Sequence, residues 1–314
     1  MMVVQSPVLG TFIFLFAVIA ATLNILTLFL FIKLKEYQHV SCYATINIVI
    51  VNILQALITI PSFGALQFDI SNKANAVICD IFSFTYFVFM HSVIFSLLLT
   101  TFEHVVSIAK PLNYRYIMRS EYILKYIFAS WVFIILFDVI PFFNQTDYLR
   151  CHYIPRKQWS DTAHIAMSSI PMLVIVFCWI YIIQVSLKQH RKLYPESVKR
   201  NAAYIKEKTT KSTILIVSVY LLCYGTDSLY NMMYILCYTS CFPSDFKESH
   251  TDSSIRFASK VLILFFSLVT PIIFCCRKEL FREYTKNLKG KIKRVEFSSV
   301  FKFTEDVNAA STNV

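Results

Sequence analysis

Four ionisable side chains interrupt otherwise apolar segments of the sequence and are the first candidates for chemistry. Glu103 and His104 close an apolar stretch that is nearly free of charge since Asp80. Asp227 and Lys260 lie inside two further apolar segments. Because ionisable groups in such segments are costly, they point to a functional role by default.

No catalytic motif accompanies these residues. The sequence contains no HExxH, no GxSxG, no phosphate-binding loop and no paired carboxylates on one apolar segment. We therefore predict that the protein is not an enzyme and uses neither a cofactor nor a metal. The net charge of +11 would suit nucleic acid, but the basic clusters lack interleaved aromatic residues, so we predict no nucleic-acid partner.

The elements that position these side chains are long apolar segments. The chain has 314 residues, of which 56% are hydrophobic and 16% charged. About 20 apolar residues span a bilayer as a helix, and continuous rather than alternating apolar runs favour helices over barrel strands. We predict an all-α membrane protein, a seven-transmembrane helix bundle, with spans at about 8–32, 43–65, 76–108, 122–142, 163–187, 212–236 and 257–276.

The distribution of basic residues predicts the orientation of this bundle. Most of the 30 lysines and arginines fall in alternate connectors and in the region after the last span. The positive-inside rule then places the N-terminus outside and the C-terminus in the cytoplasm of a multi-pass plasma-membrane protein. The basic clusters 188–211 and 277–294 are expected to touch membrane lipids. A short amphipathic helix at 277–285 completes the domain 1–285, and 286–314 is expected to be a disordered cytoplasmic tail.

Several outer residues follow from this topology. Cys79 and Cys151 face an oxidising compartment on this topology, so we predict a disulfide between them. Cys237 and Cys241 lie on the same side and are either bridged or free. Asn144 begins the sequon Asn-Gln-Thr and is a predicted glycosylation site.

The order and spacing of single residues in the spans resemble the rhodopsin-like (class A) G-protein-coupled receptors over residues 9–285. The matching residues are Asn24, Asn52, Pro61, Cys79, Glu103, Trp131, Pro171, Tyr224 and the TPIIF segment at 270–274. No single match is specific, but their joint spacing is.

The resemblance gives Glu103 and His104 a role as an activation switch. Family members end span three in an acid-arginine-tyrosine triplet. Here the acid is Glu103, but the arginine position is His104 and the tyrosine position is Val105. A histidine titrates near neutral pH and cannot form the bidentate fork of an arginine, so coupling is expected to be gated differently or lost. The alternative is that His104 is a tolerated residue at the membrane interface and has no role in activation.

Other switch positions depart from the family pattern in the same direction. The resemblance assigns switch roles to Tyr224 in span six and to Thr270, Pro271 and Phe274 in span seven. The buried aspartate of span two, which holds sodium in family members, is Asn52 here, so no sodium site is expected. Such departures are typical of odorant, chemosensory and orphan branches. Some fish odorant receptors are similar in having a glutamate in the triplet and an SPIIY-like ending of span seven.

The resemblance also places a ligand pocket. Asp227 and Lys260 would face the bundle interior, either as a structural ion pair or as a site for a zwitterion, with its carboxylate at Lys260 and its amine at Asp227. Tyr86 takes the position where amine receptors keep an aspartate. Asp138 is expected to be a solvated helix end, and His91 a hydrogen-bonded core residue. The predicted ligand-binding residues are Tyr86, Phe87, Met90, Asp227, Tyr230 and Lys260.

These expectations combine into a receptor for a small extracellular ligand, of odorant or other chemosensory type, that signals to a heterotrimeric G protein. Two alternatives remain. A decoupled receptor-like scaffold would fit the changes at His104, Asn52, Thr226 and Thr270. A transporter or channel would require internal repeats, broken helices or several charges in the middle of the spans, and no repeat is evident.

Overall fold

A computed structural model describes residues 6–33, 42–68, 72–144, 159–192, 199–236 and 250–277. The chain divides into two compact units, 1–273 and 274–314. In the second unit only the end of the last helix is described. The account below therefore concerns the first unit. The predicted amphipathic helix and tail lie outside the described residues beyond Arg277.

Every regular element in the described ranges is a helix, as expected for long apolar runs in a chain with only four glycines. The elements are α1 (Pro7–Lys33), α2 (Tyr43–Leu54), a π-helical turn (Gln55–Thr59), α3 (Ile60–Ala65), α4 (Asn72–Ala109), α5 (Tyr114–Ile117), α6 (Ser120–Asn144), α7 (Trp159–Lys192), α8 (Lys199–Leu236) and α9 (His250–Arg277).

Six segments in the described part of the chain are long and apolar enough to cross a membrane. They are Pro7–Lys33, Tyr43–Ala65, Val77–Ala109, Ser120–Val139, Thr162–Val185 and Ser254–Phe274. The predicted sixth span lies in α8, which has the length to cross but is not among the six. Its C-terminal part carries Asp227 and Asn231, which lower its apolar character. Of the seven predicted spans, six are therefore long and apolar enough to cross a membrane in the described part of the chain.

Helix α4 packs against five other helices of the bundle, which are α2, α3, α6, α7 and α8. A hydrogen-bonded chain joins three of these helices. The indole Nε1 of Trp131 on α6 donates to Asn47 Oδ1 on α2 (3.0 Å), and Asn47 Nδ2 donates to Ser96 Oγ on α4 (2.7 Å). Since Asn47 is buried, these bonds satisfy polar groups that would otherwise cost free energy.

Two further contacts fix the flanks of the bundle. Gly10 of α1 faces Gly64 of α3 so closely that an added Cβ on Gly10 would lie 3.0 Å from the Gly64 carbonyl oxygen. The buried Asn24 of α1 donates from Nδ2 to the carbonyl oxygen of Ser267 on α9 at 2.8 Å. The π-helical turn precedes Pro61, whose missing N–H interrupts the regular ladder of α-helical bonds.

Candidate functional site

A pocket between α4, α8 and α9 brings together four of the predicted ligand-binding residues. Tyr86 and Phe87 come from α4, Asp227 from α8 and Lys260 from α9. The cavity volume is about 20 Å³, which is room for a water molecule. A larger ligand must therefore displace side chains that now fill the space. The complete lining is Phe82, Ser83, Tyr86, Phe87, Asp227, Asn231, Arg256 and Lys260.

The carboxylate of Asp227 is held by neutral donors. Ser259 Oγ donates to Oδ1 at 2.7 Å, and Asn231 Nδ2 donates to Oδ2 at 2.9 Å. Asp227 and Lys260 are 9% and 8% exposed. No ion pair between them is present among the described side chains, so the structural ion pair considered from the sequence is not what the structure forms. Both charges instead face one small pocket.

Lys260 has an aromatic neighbour. Its Nζ lies 5.5 Å from the ring centroid of Phe82, within the range of a cation–π interaction. Tyr86 contacts the same Phe82 ring at a centroid distance of 5.6 Å. The pocket wall on α4 is therefore aromatic, and it contacts the ammonium group of Lys260.

Arg256 is a pocket residue that the sequence reasoning missed. It lies one turn before Lys260 on α9 and is 5% exposed. Its Nε donates to Asp252 Oδ1 at 3.0 Å, and its guanidinium carbon lies 5.1 Å from the ring centroid of Tyr230. The sequence did contain a signal for Arg256, since Asp252 and Arg256 are oppositely charged and lie four residues apart. Both residues come just before residue 257, where the last span was predicted to begin.

Two predicted ligand-binding residues lie outside the lining of the pocket. The Tyr230 hydroxyl donates a hydrogen bond to Asp252, the residue that also binds Arg256, so Tyr230 helps to position the Arg256 side chain indirectly. Met90 is buried on α4, one turn beyond Tyr86. Both remain predictions as ligand contacts.

The predicted switch at the other end of α4 has an unexpected partner. Glu103 is 7% exposed, and the hydroxyl of Tyr114 in α5 donates to its Oε1 at 2.5 Å. Burial, and then the hydrogen bond to Glu103, raise the pKa of Tyr114, so the phenol stays protonated and can donate. His104 is half-buried beside it, and its carbonyl oxygen accepts a bond from Ser107 Oγ at 2.8 Å.

The switch residues of α8 and α9 belong to a packed aromatic and polar core. Tyr224 is 1% exposed and stacks on Tyr220 at a centroid distance of 4.9 Å. Its ring also meets the Phe266 ring edge-on at 5.3 Å, which joins α8 to α9. Thr270 Oγ1 donates to the Phe266 carbonyl oxygen at 2.6 Å, immediately before Pro271. Phe274 begins the second unit of the chain.

Asn52 is fully buried, and its side-chain atoms make no hydrogen bond among the described residues. It is a neutral amide, so it lacks the anion that a sodium ion would require. The absence of a sodium site stays a prediction.

The expectation for Asp138 was wrong. Its carboxylate is 2% exposed rather than solvated, and it contacts His91 Nδ1 at 3.0 Å and His164 Nδ1 at 3.3 Å. Asp138 was predicted to be solvated because it lies near the end of its apolar segment. The face that it presents depends on the rotation of α6, which the sequence does not give.

The structure describes only some of the residues predicted to form disulfides or to be glycosylated. Cys79 is buried near the start of α4. Cys151, Cys237 and Cys241 lie outside the described residues, so both pairings stay predictions. Asn144 is the last residue of α6, and its glycosylation also stays a prediction.

Comparisons with known proteins give one family. A family model described as "7 transmembrane receptor (rhodopsin family)" matches residues 23–274. The alpha-1A adrenergic receptor of Oryzias latipes is 23% identical over an alignment that covers 92% of this chain and 67% of that receptor. The octopamine receptor beta-2R of Chilo suppressalis is 22% identical, with 59% of this chain and 50% of that receptor covered.

Proposed function

Since this chain belongs to the rhodopsin family of seven-transmembrane receptors, we propose that it is a plasma-membrane receptor for a small polar ligand. Family members are receptors rather than enzymes, and they signal in general to heterotrimeric G proteins. The ligand class and the signalling partner of this chain are what we propose here. The N-terminus faces outside in this proposal, and a Cys79–Cys151 disulfide braces the outer face.

One observation carries the ligand class: Asp227 faces Lys260 and Arg256 across a single pocket without an ion pair to Lys260. A zwitterion satisfies both signs of charge at once. Its carboxylate binds Lys260, with Arg256 adding positive potential, and its ammonium group replaces Ser259 or Asn231 at Asp227. An amino acid or a related molecule fits this arrangement better than a simple amine.

The two relatives are named for adrenergic and octopamine ligands, which are amines. Tyr86 stands where amine receptors of this family keep an aspartate, and it lines the pocket here. The carboxylate that this pocket does offer comes from α8 rather than α4. Recognition of an ammonium group is therefore retained at Asp227, while the two cations of α9 add selectivity for an acid group.

The test is a G-protein reporter assay with matched compounds on the full-length receptor. Each set holds an amino acid, the amine that lacks its carboxylate and the acid that lacks its amino group. We expect the amino acid to be the strongest agonist. Lys260→Met should reduce its potency to that of the amine, and Asp227→Asn should reduce it to that of the acid.

A control variant separates the pocket from general damage to α9. Val261 is the next residue along the helix and is 40% exposed, so Val261→Met should leave all three potencies unchanged. If neither Lys260→Met nor Asp227→Asn changes the ranking of the compounds, the zwitterion proposal is wrong.

A decoupled receptor-like scaffold is the second candidate, and one observation favours it. His104 replaces the arginine that family members use to reach the G protein, while Glu103 is already bound by Tyr114. Such a protein would bind ligand without signalling. Ligand binding with no reporter response, restored by His104→Arg, would identify it.

A further inference from the structure

Three buried side chains from three helices meet on the side of α4 that faces α6 and α7. His91 comes from α4, Asp138 from α6 and His164 from α7. They are 0%, 2% and 4% exposed. One ligating atom from each residue lies within 4.8 Å of those of the other two. This cluster is separate from the pocket between α4, α8 and α9.

The distances suit a tetrahedral transition-metal ion. With zinc bonds of about 2.0–2.1 Å, neighbouring ligand atoms lie about 3.3 Å apart. The Asp138 Oδ1 atom lies 3.0 Å from His91 Nδ1 and 3.3 Å from His164 Nδ1. Two imidazoles and one carboxylate leave a fourth position for a water molecule, and this ligand set is one that zinc accepts.

Unsatisfied hydrogen bonding also points to a missing ligand. His91 Nδ1 lies 3.0 Å from both carboxylate oxygens of Asp138. Yet His164 Nδ1 makes no hydrogen bond among the described residues, although it is buried and close to the same carboxylate. Buried polar atoms are rarely left without a partner. A metal ion bound to His164 Nδ1 and to Asp138 would satisfy both groups.

Charge supports the same conclusion. A carboxylate in an apolar helix is costly unless a cation compensates it. A divalent ion compensates the Asp138 charge while both imidazoles remain neutral, which is their form as metal ligands. Asp138 and His164 lie close to the ends of the apolar segments Ser120–Val139 and Thr162–Val185. On the predicted orientation these ends face the outside, which gives an ion a short route of entry.

We propose that His91, Asp138 and His164 form a binding site for a divalent transition-metal ion of the zinc class. The ion ties α4, α6 and α7 together. The ring of Phe87 lies 5.2 Å, centroid to centroid, from the ring of His164 and also lines the pocket. Metal binding therefore acts on a wall of the ligand pocket, although the metal site does not depend on the proposed ligand class.

Thermal unfolding of the full-length, metal-depleted protein in lipid nanodiscs tests this site. Zinc should raise the melting temperature in a saturable way, whereas magnesium and calcium, which prefer oxygen ligands, should not. His91→Gln, His164→Gln and Asp138→Asn should each abolish the zinc-dependent shift. His104→Gln, the same substitution on the same helix α4, should retain it.

Spectroscopy of the unaltered protein covers the case in which a variant fails to fold. One equivalent of cobalt should give the visible absorption of four-coordinate Co²⁺, and X-ray absorption of the zinc-loaded protein should show two imidazoles in the first shell. No saturable zinc shift in the unaltered protein would overturn the proposal. So would a shift that survives in both histidine variants, or a first shell without imidazole.

Discussion

The hydroxyl of Tyr114 holds the carboxylate of Glu103 at the end of α4 predicted to face the cytoplasm. A hydrogen bond to a charged group contributes about 1.5–3 kcal/mol. Tyr114→Phe should therefore lower the free energy of unfolding by about that amount and loosen α5 from α4. Denaturant unfolding in nanodiscs measures the change.

Tyr116 offers the matched control for this substitution, because it lies in the same helix α5 and is 72% exposed. Tyr116→Phe should change the free energy of unfolding by less than about 0.5 kcal/mol, as for most surface substitutions. Equal effects of the two variants would show that the bond to Glu103 contributes nothing measurable.

The indole of Trp131 supplies a buried bond between α6 and α2. Trp131→Phe removes the donor to Asn47 Oδ1 and leaves that buried oxygen without its bond. The expected loss is about 1–3 kcal/mol of unfolding free energy. Trp179→Phe is the control, since its indole donates only a long bond, 3.4 Å, to the Ile214 carbonyl oxygen. A larger loss from Trp179→Phe than from Trp131→Phe would contradict this ranking.

At the scale of elements, the contact between α1 and α3 depends on the absence of a side chain at Gly10. A Cβ there would lie 2.4 Å from the Phe68 ring and 3.0 Å from the Gly64 carbonyl oxygen, so Gly10→Ala requires the Phe68 ring to move and the backbone of α3 to shift by a few tenths of an ångström. Overpacking of this kind costs about 1–3 kcal/mol. A lower melting temperature in nanodiscs is the expected readout.

Gly225 on α8 is the comparison for Gly10. An added Cβ there meets only Met172 Sδ at 3.9 Å, which is ordinary contact. Because alanine favours a helix interior over glycine by about 1 kcal/mol, Gly225→Ala should be neutral or stabilising. If both substitutions have the same sign and size, helix propensity rather than close packing determines them.

The helices themselves were predictable because their apolar runs are long and continuous. Six of the seven predicted spans each fall within one helix of the structure, and the second, 43–65, covers α2, the π-helical turn and α3. The partners of single polar residues were not predictable, because they depend on how each helix is rotated about its axis. Asp227 and Lys260 were found because charge inside an apolar segment is conspicuous, whereas the partners of Asp138 and Glu103 required the structure.

At the scale of the whole molecule, the pocket and the predicted switch lie toward opposite ends of α4. Tyr86 lines the pocket, and Glu103 lies 17 residues further along the same helix. At about 1.5 Å per residue, this separation is about 25 Å, close to the thickness of a bilayer core. A receptor that transmits a signal through this bundle must therefore couple two sites joined by one continuous helix. Ligand binding can shift such a bundle only if it favours one of two states.

The central claim is that ligand binding at the pocket activates a G protein at the opposite face. Its most direct measurement is nucleotide exchange on heterotrimeric G proteins by the purified full-length protein in nanodiscs, using the strongest amino acid from the compound sets. We predict ligand-dependent exchange by the unaltered protein and more by His104→Arg. For Lys260→Met we predict exchange only at higher concentrations of the amino acid. The account is contradicted if the amino acid changes the rate of nucleotide exchange neither with the unaltered protein nor with His104→Arg. Transport of the same amino acid across the membrane of liposomes that contain the protein would favour a transporter instead.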